Sequence, residues 1–99
     1  MNKFKELKVW QKSIQLVTNI YSATNSFPNE EVYGITSQIR RCAVSIPSNI
    51  AEGAGRKSKK DFRHSLDIAY GSASELDTQS LIAQNLNYLN SKHYKTLSE

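Results

Sequence analysis

Apolar residues return at alternating intervals of three and four along nearly the whole chain, and this periodicity constrains the fold more than any other feature. Leu7, Trp10, Ile14, Val17, Tyr21 and Thr24 carry it through the first segment. Val32, Ile35, Ile39, Cys42, Ile46, Asn49 and Gly53 carry it through the second. Phe62, Leu66, Ala69, Ala73, Leu76, Ser80, Ala83 and Asn87 carry it through the third. Such spacing draws one stripe along one face of an α-helix. Two prolines and four glycines in 99 residues leave little punctuation. That favours a few long helices over many short strands.

The spacing predicts helices over about 4–24, 30–55, 59–89 and 91–99, within a single domain spanning 1–99. Val9, Leu16 and Ile20 add a second apolar stripe to the first helix, so its apolar face is wider than one neighbouring helix requires. A multi-helix core or a seam against another subunit would account for it. Pro28 disfavours helix at Phe27 and ends the first segment. Asn29 is placed to cap the second, with Glu30 and Glu31 near its positive end. Pro47 lies inside the second helix, where it removes one backbone hydrogen bond. The stripe continues across it, so a kink is preferred over a break capped by Ser48. Ser58-Lys59-Lys60-Asp61 resembles a capping box with Asp in place of Glu or Gln. Gly71-Ser72-Ala73-Ser74 is small at every position and suits a close helix approach. The segment from Lys92 to Glu99 is too short to cover a groove between three long helices. The fourth helix is therefore expected to be truncated, as the start of a longer chain.

Several function classes find no support. No apolar run approaches the roughly 20 residues of a membrane span, and Met1 to Glu6 lacks the apolar block of a signal peptide. A cytoplasmic protein is expected. Cys42 is the only cysteine, which excludes an internal disulfide and a cysteine metal cluster. Cys42 and His64 lack the elbow and oriented third group of a nucleophilic site. His64 and His93 share no helix face, and Gly53-x-Gly55 follows no strand. No enzyme, no cofactor and no metal is expected.

Two groups of polar residues carry more information. The net charge is +4, and seven basic residues (Arg40, Arg41, Arg56, Lys57, Lys59, Lys60, Arg63) stand against two acids between positions 40 and 63. Such an excess suits phosphate backbones or acidic protein surfaces, and equally a solvated helix end. Ser45, Asn49, Glu52 and Arg56 form a polar stripe on the second helix, extended by Arg41. His64, Ile68, Gly71, Glu75 and Thr78 share a face of the third. If these faces meet, Arg41 or Arg56 could pair with Glu75, and Asn49 could bond to Ser72 or Thr78. A structural network of Ser45, Asn49, Glu52, Ser72, Glu75 and Thr78 that sets helix register or subunit docking is preferred over a ligand site.

Certain stretches are familiar together. They are Leu7–Lys12, Phe27–Gly34, Gln38–Gly53 with its Ser-Ile-Pro-Ser-Asn-Ile-Ala-Glu-Gly run, Asp61-Phe62, and Gly71–Gln79. The chain resembles the four-helix-bundle family encoded in intervening sequences of 23S ribosomal RNA genes, over essentially residues 4–94. The accessory protein of diversity-generating retroelements resembles the same family. The resemblance implies an up-down four-helix bundle, assembled as a ring-like homopentamer with a basic surface, and a continuous, kinked helix through Pro47. It implies no enzymatic activity. For the retroelement relatives it points to binding of nucleic acid and a reverse transcriptase. Tyr70 and Ser74 depart from the basic and larger apolar residues often found there.

Three readings follow from these observations. The first is a non-enzymatic homo-oligomer that binds RNA or a nucleoprotein through Arg40, Arg41, Arg56, Lys57, Lys59, Lys60 and Arg63. Phe62 is the one aromatic residue within that segment, so backbone or shape recognition is expected over base stacking. The second is a protein–protein adaptor that meets an acidic partner. The third is an enzyme with an unrecognised site around Asn49, Glu52 and Glu75.

Overall fold

Long apolar stripes become long helices. The computed structural model describes residues 3–90, and all regular structure among them is helical. A 3₁₀ turn at Lys3–Glu6 leads into α1 (Lys8–Thr24). A second 3₁₀ turn at Asn29–Glu31 precedes α2 (Ile35–Ala54), and α3 covers Lys59–Asn85. At 1.5 Å per residue α3 is about 40 Å long, and it accounts for most of the molecule's 44 Å extent. The segment predicted as a fourth helix, 91–99, lies outside the described residues. No helix among them is long and apolar enough to cross a membrane.

α2 is the central element. It packs against α3 along its length and against α1, whereas α1 and α3 do not pack on each other. Ser72 lies beside Cys42 and Ser45, and Ser65 lies beside Gly53. The order of these pairs makes α3 antiparallel to α2. Arg40 meets Tyr21 and Thr24, while Leu7 shares a pocket with Gly53, so α1 is antiparallel to α2 as well. Ile20, Ile39, Ala43, Ile46, Ile50, Ala69, Leu76 and Ala83 form the buried core between the helices.

The seam predicted for α1 faces the core in part, with Leu7, Trp10 and Val17 packed against it. Ser13, Ile20, Ala23 and Thr24 are buried, while Ile14 and Tyr21 remain 40% and 43% exposed. One neighbour covers a narrower arc than the apolar face of α1 offers. The hydroxyls on the buried line are satisfied within the helix. Ser13 donates to the Trp10 carbonyl at 2.7 Å and Thr24 to the Ile20 carbonyl at 2.8 Å.

Helix ends account for the other differences. α2 starts at Ile35, not near residue 30, because the chain turns through Val32-Tyr33-Gly34. Asn29 caps nothing with its side chain. The Glu31 carboxylate instead accepts the Ile35 N–H at 3.4 Å, which places a negative charge at the positive end of α2. A Cβ on Gly34 would stand 2.5 Å from that carboxylate. α2 runs unbroken through Pro47, which is buried, and Ser48 starts no new segment. Ser58 does cap α3, accepting the Asp61 N–H at 3.1 Å.

α3 ends at Asn85, not near residue 89. Asn87 is left-handed at φ 64°, and the Tyr88 and Asn87 N–H groups close back on the Ala83 and Gln84 carbonyls at 2.9 Å each. This is a Schellman end with Asn at the left-handed position. It returns Leu89 to the core and lays Tyr88 against Phe27, with ring centroids 5.6 Å apart. The Tyr88 hydroxyl donates to Glu31 at 3.1 Å, and this bond to a carboxylate holds the phenol above the usual tyrosine range.

Candidate nucleic-acid interface

The seven cations do not form one patch. Arg41 and Arg56 lie fifteen residues apart on and just beyond α2, a rise of about 22 Å along a helix. Arg40 is used internally. Its Nε donates to Thr24 Oγ1 at 2.8 Å, Nη2 reaches the Tyr21 carbonyl at 3.4 Å, and the guanidinium sits 4.6 Å from the Tyr21 ring centroid. It joins α2 to α1 through these contacts, so two of its donors already have protein partners. Arg41 is exposed on the α3 side of α2, beside Glu75 in a shallow polar groove.

The other five gather at one end of the molecule. Arg56 and Lys57 lie in the turn after α2, Lys59 and Lys60 open α3, and Arg63 follows one turn on; all are exposed. Two acids temper them. Glu52 accepts from Arg56 at 2.7 Å, an exposed pair four residues apart, and Asp61 sits in the first turn of α3. An exposed pair of that kind is worth about 0.3–0.5 kcal/mol, so a phosphate could readily compete for Arg56.

The same end carries a pocket of about 250 Å³. Phe4 and Leu7, from the N-terminal turn, and Phe62 supply apolar surface; Lys3, Lys57 and Lys59 bring cations to it. Lys3, Phe4 and Leu7 come from some fifty residues away in sequence, so no local pattern pointed to them. The antiparallel return of α1 onto α2 brings them here.

The predicted polar network exists in a reduced form. Ser45 and Ser72 share a hydrogen bond of 2.8 Å across α2 and α3. Asn49 Nδ2 donates to the Ser45 carbonyl at 2.8 Å and its Oγ at 3.1 Å, so Asn49 supports Ser45 within α2 and does not cross to α3. Cys42 joins unforeseen. Its thiol lies 3.0 Å from the Ser72 carbonyl and 3.7 Å from Glu75 Oε1. Burial, then the Glu75 charge and bond, push that thiol up to about 11. Glu52 turns outward to Arg56, so Arg56 does not pair with Glu75. Thr78 bonds the Ser74 carbonyl of its own helix at 3.0 Å and stays outside the network. Gln79 Oε1 is buried beside this groove without a hydrogen-bond partner. Among the described residues no three His, Cys, Asp or Glu side chains converge to hold a metal ion.

Residues 5–99 match the model of a family described as 23S rRNA-intervening sequence protein. The chain belongs to that family. No curated protein matches it. In this family member the Ser-Ile-Pro-Ser-Asn-Ile-Ala-Glu-Gly run has a local physical role. Ile46 and Ile50 fill the core, Ser45 and Asn49 serve the α2–α3 hydrogen bonds, and Gly53 permits contact with Ser65.

α3 approaches α2 closely at two places, at Ser72 within the predicted small cluster and at Gly53. A Cβ on Gly71 would meet nothing within 4 Å, whereas one on Gly53 would stand 2.6 Å from Ser65 Cβ. Gly53 is thus a packing residue inside α2.

Proposed function

We propose that this protein is a non-enzymatic, homo-oligomeric helical module that binds RNA or a nucleoprotein through the end bearing Arg56, Lys57, Lys59, Lys60 and Arg63. The observation that carries the reading is the gathering of these five exposed cations in the α2–α3 turn and at the start of α3. Fixed cations of this kind attract a phosphate backbone and release its counterions. Arg41 stands apart and contributes, if at all, from a second face.

Oligomerisation fits the unspent apolar surface. Ile14, Tyr21 and Val44 on α1 and α2, Ile68, Leu81 and Ile82 on α3, and Leu86 just after it remain substantially exposed. In this reading neighbouring subunits cover them, and the fold is an up-down four-helix bundle with a bend in α2 at Pro47. A pentameric ring would repeat the basic end around one axis and add weak contacts through avidity.

Replacing Lys57, Lys59 and Lys60 together by Ala tests the assignment. RNA affinity should fall while the oligomeric mass, read by sedimentation, stays the same. Unchanged affinity would sink it, and binding to an acidic protein partner that survives nuclease treatment would replace it.

A further inference from the structure

The pocket at the α2–α3 turn adds to its cations an apolar, aromatic surface that a plain basic patch lacks. Its floor is apolar and aromatic, from Phe4, Leu7 and Phe62, and Lys3, Lys57 and Lys59 stand around it. At about 250 Å³ it falls just under the ~300–1,000 Å³ of sites that enclose a whole drug-sized ligand. It is shallow enough to admit a flat group from a polymer that continues past its rim. Ser58 takes the Asp61 N–H at the start of α3, and the lysines supply the charge that draws an anion to the pocket.

We propose that this pocket takes one unstacked nucleotide of a single-stranded RNA, its base against Phe4 and Phe62 and its phosphate against the lysines. This deepens the proposed function and rests on it. Charge complementarity selects an anion, and the adjoining aromatic floor selects an anion with a flat apolar face. A base drawn out of a strand offers both, and sequence-tolerant stacking on aromatic rings is the usual way single strands are held. A duplex keeps its bases stacked and engages only the lysines. Phe4 supplies the second ring that the basic segment lacks on its own.

The test compares three probes at one low salt concentration: a short single-stranded RNA of mixed sequence, the same strand with abasic positions throughout, and an RNA duplex. The base-bearing single strand should bind about tenfold tighter than its abasic counterpart. Ala54 is exposed and lines the pocket. Ala54→Trp should fill the space and bring the single strand down to the abasic level, leaving abasic and duplex binding unchanged. Phe4→Ala, made outside the three long helices, should have the same effect. Equal affinity for the base-bearing and abasic strands would overturn the pocket assignment alone. No binding of any probe would overturn it together with the proposed function.

Discussion

Gly53 and Ser65 meet so closely that a Cβ on Gly53 would lie 2.6 Å from Ser65 Cβ, with Phe62 Cδ1 at 3.0 Å. Both residues are buried. The atoms that would be struck are a Cβ at the root of a side chain and a ring carbon packed at the same crossing, so neither can swing away cheaply. Gly53→Ala should therefore destabilise the fold by about 1–3 kcal/mol, despite the better helix propensity of alanine. Urea unfolding should show a lower midpoint with an unchanged slope. Gly71→Ala, in open space, should leave stability the same or slightly raised.

Arg40→Ala should separate packing from binding. The guanidinium joins Thr24, Tyr21 and α2, so its loss should cost about 1 kcal/mol of stability, counting hydrogen bonds and ring contact at a partly exposed site. RNA affinity should not change. Thermal unfolding and RNA titration of the same variant check both halves, and weakened RNA binding with unaltered stability would return Arg40 to the binding surface.

Cys42 gives the fold a pH dependence on the alkaline side. Its thiol is held protonated to about 11 in the folded protein, against 9.0 for an ordinary thiol. Between those values the unfolded chain loses a proton that the folded chain keeps. Stability from this group is complete below pH 9 and declines as pH rises toward 11. Cys42→Ala should flatten that part of a stability–pH curve. At neutral pH the native thiol should react slowly with a disulfide reagent and quickly once unfolded. Rapid reaction in the native state would contradict the burial and the Ser72 and Glu75 contacts described for it.

What the sequence made legible follows the local or periodic character of each feature. The three long helices, the Ser58–Asp61 cap and the Ser45–Ser72 neighbourhood all depend on spacing of three and four, which a linear string displays. The end of α3 does not. Asn87 adopts a left-handed conformation within an unbroken apolar rhythm, and the rhythm carried the predicted helix onward to residue 89. The bond from Tyr88 to Glu31 joins residues 57 apart, beyond any local signal. The basic residues looked alike in sequence, yet Arg40 is committed to α1 while Lys57 and Lys59 border a pocket. Only the antiparallel return of α1 distinguishes them, because it brings Tyr21 to one and Phe4 to the others.

In the proposed function the cations of the α2–α3 turn and of the start of α3 bind RNA. The most direct test is equilibrium binding of a structured RNA and a matched DNA duplex at two salt concentrations, for the native protein and for the Lys57→Ala, Lys59→Ala, Lys60→Ala variant. The account predicts salt-sensitive RNA binding whose log–log slope shrinks by about two to three in the triple variant, one phosphate contact per lysine. Absence of binding to either nucleic acid at low salt, or a slope and affinity the same in both proteins, would contradict it.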